Sequence, residues 1–202
     1  MQHFSSAKNA LAVLLGNGEG IPASRPSVSG SANDIAAADF NGDGNVDLPL
    51  VAAFDSQVRV VLGNGDGTFQ PATTYACDEV EFTAATADLS RDGVPDLLIG
   101  GGDHTSILLR NGDGSFSAPV HYGVGQRFAR IGYFNRDRDS DVVAGGGFFG
   151  TGVAFSRGDG TLRAPLAIAG GTLGFGSADF DGDGYADLID ETRVISSPAI
   201  SY

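Results

Sequence analysis

Short apolar runs separated by Gly, Asp, Asn and Pro recur along the whole chain. One set of four runs comprises residues 84–87, 97–100, 107–109 and 116–122. Runs of this length, rich in apolar and β-branched residues and bounded by turn formers, are typical of β-strands. No window shows the 3.6-residue apolar period of an amphipathic helix. The pattern therefore predicts an all-β protein with almost no helix, built from sets of four short antiparallel strands.

A glycine-rich turn follows the third run of each set and recurs at intervals of 47, 47 and 46 residues. Asn-Gly and Asp-Gly between apolar runs are strong hairpin signals, because both central residues of such a turn need positive φ. These turns are therefore predicted to be structural hairpins without chemistry of their own. They lie at residues 15–20, 62–67, 110–114 and 156–160.

An acidic loop of nine residues lies between the first two runs of each set. In the first copy, oxygen-bearing side chains stand at positions 1, 3, 5 and 9, and position 7 offers its backbone carbonyl. These five residues are Asp39, Asn41, Asp43, Asp47 and, at position 7, Asn45. Calcium takes six to eight oxygen ligands, and Gly44 at position 6 permits the bend that brings them together. The start matches the front half of an EF-hand loop. Leu50 stands where an EF-hand has its last Glu, however, so we expect this loop to join two strands.

Three further copies begin 49, 94 and 140 residues after the first. The second loop supplies Asp88, Ser90, Asp92, Val94 and Asp96, and the fourth supplies Asp179, Asp181, Asp183, Tyr185 and Asp187. The third loop keeps Asn135, Asp137, Asp139 and Asp141, but it has Tyr133 in place of the first Asp and Arg138 in place of the Gly. An Asx-rich turn without metal is the alternative, but such turns would not need acids at the same positions each time. We expect about three calcium ions and leave the degenerate third loop out of that count.

The repeat of 45–49 residues, with four antiparallel strands in each, is typical of a β-propeller blade. A parallel β-helix is less consistent with the sequence, because its nonapeptide period is absent. The interpretation is a single propeller domain, 1–202, with about four blades. Its parts are a half blade at 1–30, repeats at 31–80, 81–125 and 126–172, and a half blade at 173–202. The ring either closes within one chain, by pairing 186–196 with 10–16, or closes in a homodimer of about eight blades, which we favour.

Composition narrows the class of protein. The formal net charge is −13, and the acids are concentrated in the repeated loops and turns. A chain with this negative charge cannot replace the counterions of nucleic-acid phosphates, so no nucleic-acid partner is expected. No stretch has the length of a membrane helix, so no membrane insertion is expected. The single Cys77 rules out an internal disulfide. Calcium sites of this kind would stay empty in the cytoplasm, which indicates an extracellular or bacterial surface location, with any export signal outside this chain.

The acidic loops resemble those of the FG-GAP/VCBS repeat family, known from integrin α-subunit propellers and many bacterial surface proteins. The turn at 63–69, Gly-Asn-Gly-Asp-Gly-Thr-Phe, strengthens the resemblance, as do the Ala-Pro pairs at 118–119 and 164–165 and the Gly-Phe-Gly at 174–176. The resemblance implies a propeller with structural calcium in the loop joining strands one and two of each blade. The sequence departs from the family in its third loop, in Pro49 within a second strand, and in having too few blades for a typical ring.

Three functions are compatible with these features. The first is a binding module for adhesion or carbohydrate recognition, which the resemblance supports. The second is a structural spacer without its own ligand. The third is a polysaccharide lyase or hydrolase, which the sequence disfavours because it shows no nucleophile signature and most acids are in the loops; only Glu79 and Glu81 are available as an acid/base pair.

A ligand is expected on the face opposite the acidic loops, where the more variable connections gather. Binding residues favour variable loops on a rigid scaffold. Aromatic planes near acid and amide groups suit a sugar or an extended peptide, and hence a carbohydrate or protein partner. The candidate ligand-binding residues are Tyr75, Asp103, His104, Tyr122, Arg127, Phe148 and Phe149.

Overall fold

The computed structural model contains β-strands and no helix in the part of the chain that it describes. The described residues are 10–11, 14–15, 23–24, 28–29, 32–52, 56–77, 81–102, 104–123, 128–145, 151–169, 175–190 and 194–195. Among these residues there is accordingly no helix that could cross a membrane. The strands, β1 to β19 in chain order, are Ala10–Leu11, Leu14–Leu15, Ala23–Ser24, Val28–Ser29, Asp34–Ile35, Leu48–Val51, Gln57–Val61, Thr73–Ala76, Glu81–Ala87, Asp96–Gly101, His104–Leu108, Val120–Tyr122, Phe128–Gly132, Asp141–Gly145, Thr151–Ala154, Leu166–Ala169, Phe175–Ala178, Asp187–Asp190 and Val194–Ile195.

Consecutive strands pair antiparallel to form the sheets. The first sheet is β5–β8, the second is β9–β12 and the third is β13–β16, each with four strands in chain order. The fourth sheet has three described strands, β17–β19. At the N-terminus, β1 pairs with β4 and β2 pairs with β3, which gives the predicted hairpin. The all-β class and the four-stranded antiparallel unit are thereby confirmed. The blade count, the domain divisions and the closure of a ring stay predictions.

The central strands β10 and β14 send alternate side chains into two different cores, because successive side chains in a strand point to opposite faces. In β10, Leu97 and Ile99 pack with the first sheet, whereas Leu98 packs with the third. In β14, Val142 packs towards the second sheet and Val143 towards the fourth. Both faces of the central strands are therefore covered. This is why β10 and β14 are continuous apolar runs rather than alternating ones.

The first strands of neighbouring sheets lie side by side. β9 contacts β5 on one side and β13 on the other. The Ala84 N–H donates to Asp34 Oδ2 at 3.0 Å, and the Ala129 N–H donates to Thr83 Oγ1 at 3.2 Å. A Cβ on Gly100 would lie 2.9 Å from that of Ala129. The second and third sheets therefore approach so closely at this point that Gly100 leaves no room for a larger residue.

Pro49 explains why the first sheet has the shortest first strand. β6 contains Pro49 and pairs with β5 only at residues 50–51, whereas β10 pairs with β9 along six residues. Proline has no N–H to donate, so it is tolerated in a sheet only where no ladder hydrogen bond is needed. The irregularity noted in the sequence thus shortens β5 without breaking the pairing of β6 with β7.

The glycine-rich turns at 62–67, 110–114 and 156–160 are hairpins, as predicted, but their conformation differs from the expected one. Most of the turn predicted at 15–20 lies outside the described residues. In the first sheet, Asn64 N–H donates to the Thr68 carbonyl at 3.0 Å. Positive φ occurs at Gly65 (80°) and Gly67 (85°), the glycines on either side of Asp66. Expecting positive φ at both central residues of an Asn-Gly turn was therefore wrong. The loop is wider, and Asp66 Oδ1 caps it by accepting the Thr68 N–H at 2.9 Å.

Candidate metal centres

The acidic loops fold around the carboxylate at their first position. In the first loop, Asp39 Oδ1 accepts the Gly42 N–H at 2.7 Å and Asp39 Oδ2 accepts the Gly44 N–H at 2.8 Å. Both glycines have positive φ, 75° and 84°. These turns require a left-handed backbone, which glycine adopts without steric cost. The fourth loop repeats the arrangement, with Asp179 accepting from Gly182 and Gly184 at 2.7 and 3.0 Å.

Side chains at positions 3 and 5 make a second layer of local hydrogen bonds. In the first loop, Asn41 Oδ1 accepts the Asp43 N–H at 3.0 Å, and Asp43 Oδ1 accepts the Asn45 N–H at 2.7 Å. The bond from the Asn45 N–H is the main reason that the pKa of Asp43 lies below its usual value. Asp43 is therefore kept as a carboxylate, the form that binds a cation. Asp181 and Asp183 repeat these bonds in the fourth loop.

The Asp at position 9 has a second function that the sequence did not reveal. Asp47 is fully buried; its Oδ2 accepts the Phe40 N–H and its Oδ1 accepts the Gly63 N–H, both at 2.8 Å. It thereby joins the acidic loop to the start of the hairpin in the same sheet. Asp96 accepts from Leu89 and Arg110, both at 3.0 Å, in the same way.

The third loop makes this structural function clear. Asp141 is fully buried and accepts the Phe134 N–H at 3.0 Å and the Ser156 N–H at 2.9 Å, although this loop has lost its first Asp. Burial raises the pKa of Asp141 to about 6, against the opposing effect of those two N–H donors. Burial likewise raises the pKa of Asp96. The third loop keeps its position-9 Asp although it has lost its first Asp. This sequence signal could have shown that the position-9 Asp has a structural function apart from metal binding.

The fourth loop brings three acidic side chains together. Carboxylate oxygens of Asp179, Asp181 and Asp187 all lie within 4.8 Å of one another. Ligands at 2.3–2.6 Å from one ion can be up to about 5 Å apart, so one cation can contact all three. In the second loop, Ser90 Oγ at position 3 is buried without a hydrogen bond in the described part of the chain, although it lies near enough to Asp96 to favour that residue's charged form. A buried hydroxyl oxygen at a ligand position also fits a cation.

The third loop has Arg136 at position 4, where the second loop has Arg91 and the other two have glycine, and Arg138 at position 6, where the other three have glycine. Asp139 forms an ion pair with Arg91, which belongs to the second loop. Arg136 lies over the ring of Tyr185 of the fourth loop, 5.6 Å from its centre. Protein cations thus neutralise this loop and connect it to its two neighbours. The sequence leaves the third loop out of the expected calcium count, and this arrangement favours that interpretation.

Hairpins pack on the acidic loop of the preceding sheet. The Gly160 N–H, in the hairpin of the third sheet, donates to the Leu89 carbonyl of the second loop at 2.9 Å. A Cβ on Gly114, in the hairpin of the second sheet, would lie 3.2 Å from the Cβ of Asn41 in the first loop. Any rigidity that a cation gives to one loop is therefore passed to the next sheet.

Residues 50–99 match the sequence profile of a family described as the FG-GAP-like repeat. The chain contains an FG-GAP-like repeat. The match runs from β6 through the second loop to β10, and it confirms the resemblance noted in the sequence. No curated protein matches the chain.

Solved structures similar to this chain include a lectin and an enzyme. An Agrocybe aegerita lectin that recognises non-reducing terminal N-acetylglucosamine is 26% identical, with a TM-score of 0.55 over 76% of this chain and 45% of the lectin chain. A Bacillus licheniformis rhamnogalacturonan lyase is 16% identical, with a TM-score of 0.54 over 83% of this chain and 41% of its own. BBS1N, solved in complex with ARL6DN, is 12% identical, with a TM-score of 0.52 over 82% of this chain and 56% of its own. The chain spans about half the length of these proteins, and the likeness supports a propeller-like arrangement of its sheets.

The predicted ligand-binding residues are only partly placed. Asp103, Arg127, Phe148 and Phe149 lie outside the described residues. Tyr75 packs into the core between the first two sheets, where its ring lies 5.5 Å from that of Phe116 and its hydroxyl accepts the Phe116 N–H at 3.2 Å. The other described candidates are Tyr122, which packs against the core between the second and third sheets, and His104, whose ring lies 4.6 Å from that of His121. A ligand site on this face stays a prediction.

Exposed aromatic side chains lie instead among the acidic loops. Tyr133 of the third loop is 51% exposed and Phe180 of the fourth is 52% exposed. Sequence reasoning missed both, because they occupy positions within a motif interpreted for its acids. The signal was present in the sequence: Tyr133 replaces an Asp that the other three loops retain.

Proposed function

We propose that this protein is a calcium-stabilised, propeller-like module that binds carbohydrate outside the cell. The observation that carries the proposal is the likeness to a lectin over three quarters of this chain. The ligand class is inferred from that neighbour. The calcium part of the proposal is supported by the converging oxygens of the fourth loop and by the FG-GAP-like repeat.

Calcium would be held by side chains of the first, second and fourth loops together with the position-7 carbonyls. The fourth loop places three carboxylates near one another, and a bound cation would relieve their mutual repulsion. The first loop carries acids at positions 1, 5 and 9. A ligand that binds only the folded state also stabilises it by mass action. Because acidic loops pack against hairpins of the next sheet, this stabilisation extends over one whole side of the molecule. Affinity of extracellular grade is expected, which places the protein where free calcium is plentiful.

We propose binding rather than catalysis. Most described carboxylates are engaged in the loops and turns, where they accept backbone N–H groups. The lyase among the neighbours is 16% identical, and that likeness concerns the fold. A protein ligand, as in adhesion, is the alternative partner.

A glycan array with calcium present tests the carbohydrate proposal. We expect a restricted set of glycans to be retained, and we expect binding to fall when a chelator is added, because the acidic loops, and the hairpins packed on them, lose the stabilisation that the cations give. An array on which no glycan is retained, with a calcium-loaded folded protein, would contradict carbohydrate binding. Release of sugar fragments from a retained polysaccharide would show that the protein is an enzyme and would contradict our proposal of binding alone.

A further inference from the structure

A cavity of about 510 Å³ opens between the second and third sheets, on the side of the acidic loops. The ends of β9 and β13 form its floor. The polar and aromatic side chains around it are Asp88, Arg91, Tyr133, Arg138, Asp139 and Ser140. Its volume is in the range of sites for small molecules. None of the ligand-binding residues predicted from the sequence belongs to it.

Two arginines in this cavity have a backbone conformation that residues other than glycine rarely adopt. Arg91 has φ of 58° and Arg138 has φ of 69°. Position 6, occupied by Arg138, is glycine in the other three loops. Strained residues of this kind persist where the surroundings hold them, and they cluster at binding sites. An arginine where glycine would fit better indicates a function for the guanidinium group.

The two arginines differ in what they contact. Arg91 pairs with Asp139 and lies against the hairpin of the third sheet, where a Cβ on Gly158 would meet its Nε at 2.5 Å. Arg138 is exposed and makes no hydrogen bond or ion pair among the described residues. The charge of Arg91 is therefore balanced by Asp139, whereas Arg138 has no such partner in the described part of the chain.

The remaining acid of the cavity is Asp88, the first residue of the second loop, which our proposed function assigns to calcium. Bound calcium would engage the Asp88 carboxylate, and Asp139 pairs with Arg91, so Arg138 would be the arginine of the cavity without an acidic partner among the described residues. Beside it, Tyr133 presents half of its surface to solvent. An aromatic ring offers a flat apolar face with a polar tip, and an Arg guanidinium matches a carboxylate with two parallel hydrogen bonds.

We infer that this cavity binds an acidic saccharide, with the sugar ring stacked on Tyr133 and its carboxylate paired with Arg138. The inference rests on the proposed carbohydrate-binding function and names its ligand class and its site. It places the ligand on the side of the acidic loops. A neutral sugar would leave Arg138 without a partner, whereas a uronate or sialate unit satisfies both residues.

The test uses the calcium-loaded full chain and a panel of uronate- and sialate-terminated oligosaccharides, each with its methyl ester. Esterification keeps the ring and removes the charge. Binding is measured by isothermal titration calorimetry at low ionic strength. We expect at least one acid to bind and its ester to bind about tenfold more weakly or worse, as loss of a charged hydrogen-bonded pair implies. Esters that bind as well as the acids, or a panel in which only neutral glycans bind, would overturn the inference.

The decisive variant is Arg138→Gly, because glycine suits the backbone at φ of 69° and the fold should be retained or stabilised. We expect its affinity for the acidic ligand to fall about tenfold or more, and the affinity of Tyr133→Ala to fall about fivefold. Arg136→Ala is the matched control: it removes an arginine of the same loop that does not line the cavity. His104→Ala tests the opposite face.

The outcomes separate this inference from the proposed function. If Arg138→Gly binds normally while His104→Ala does not, the site is on the opposite face and this inference fails, although carbohydrate binding stands. If Arg136→Ala weakens binding as much as Arg138→Gly, the effect is general charge and the assignment of Arg138 fails. If nothing in the panel binds but the glycan array retains a neutral glycan, this inference fails and carbohydrate binding stands. If the folded protein binds neither the panel nor the array, both proposals fail.

Discussion

At the scale of single residues, the position-9 aspartates show how one motif position can serve two purposes. Asp141 is the cleanest example, because its loop lacks the first Asp while its carboxylate still accepts two buried backbone N–H groups. Asp47 and Asp96 make the same bonds in loops that we propose bind calcium. Their contribution to stability therefore has a part that is independent of any cation.

Replacing Asp141 should destabilise the protein whether or not calcium is present. In Asp141→Ala, two buried N–H groups lose their acceptor, which costs about 2–4 kcal/mol in the free energy of unfolding. Urea denaturation in calcium and in chelator should give the same loss. Asp137→Ala, an exposed acid of the same loop, is the matched control and should have little effect. A loss that appears only in calcium would show that the third loop binds the ion after all.

The raised pKa of Asp141 predicts the sign of a pH effect. Between its ordinary value of 3.8 and about 6, the folded state binds more protons at this residue than the unfolded state does. The free energy of unfolding should therefore fall as the pH rises through that window, relative to Asp141→Asn, which cannot titrate.

Asp159 is the control for this titration. Its pKa is lowered, chiefly by the Thr161 hydroxyl, so its contribution is present above its ordinary pKa and is lost as the pH falls through the lowered value. Denaturation of the wild type, Asp141→Asn and Asp159→Asn from pH 3 to 7 measures both slopes. Equal slopes for the wild type and Asp141→Asn would contradict the assignment.

At the scale of elements, the acidic loops are ordered by their own hydrogen bonds, so the cation completes a loop whose shape is already set. Asp39 and Asp179 each collect N–H groups from the turn that follows them. Complete and degenerate loops should therefore differ in calcium binding more than in backbone structure.

A paired substitution tests this difference. Asp43→Ala removes a side chain at position 5 of the complete first loop, and Asp137→Ala removes the equivalent side chain of the degenerate third loop. We expect Asp43→Ala to lower the number of bound calcium ions by one. The melting temperature of this variant should also rise less than that of the wild type when calcium is added. Asp137→Ala should leave both unchanged. Calorimetric titration with calcium measures the first quantity, and an equal effect of the two variants would contradict the distinction.

The elements also show what the sequence could and could not predict. The strands and acidic loops follow from the apolar runs and from acids at fixed spacing, which are local signals. The ion pair of Arg91 with Asp139 joins residues 48 positions apart, and the Asp47 bond to Gly63 spans 16. No local sequence pattern indicates such distant partners. The hairpin conformation was missed for another reason: Gly65 and Gly67 carry the positive φ, whereas the motif emphasised Asn and Asp.

At the scale of the whole molecule, the sheets are held together by cores that each need two neighbours. Leu97 and Leu98 of one strand pack into different cores. A sheet at either end of the row has one such face without a described partner sheet. We therefore keep the proposal that the row closes, either within one chain or with a second copy in a ring of about eight blades.

Molar mass in solution distinguishes the two forms of closure. Light scattering on the calcium-loaded protein should give the mass of a dimer, since a larger ring relieves crowding among the first strands. Removing residues 1–20 should then abolish dimerisation and reduce solubility together, because the partner edge is exposed. A truncated protein that stays folded, soluble and unchanged in mass would contradict both forms of closure.

The central claim is that calcium holds the acidic loops, and through them the stacked sheets, in the folded state. The most direct measurement is the melting temperature with saturating calcium and with excess chelator, followed by circular dichroism and checked with magnesium in place of calcium. We predict a marked fall in chelator, full recovery when calcium is restored, and weaker recovery with magnesium, whose smaller ion demands near-octahedral geometry. A melting temperature that is the same in calcium and in chelator would contradict the account.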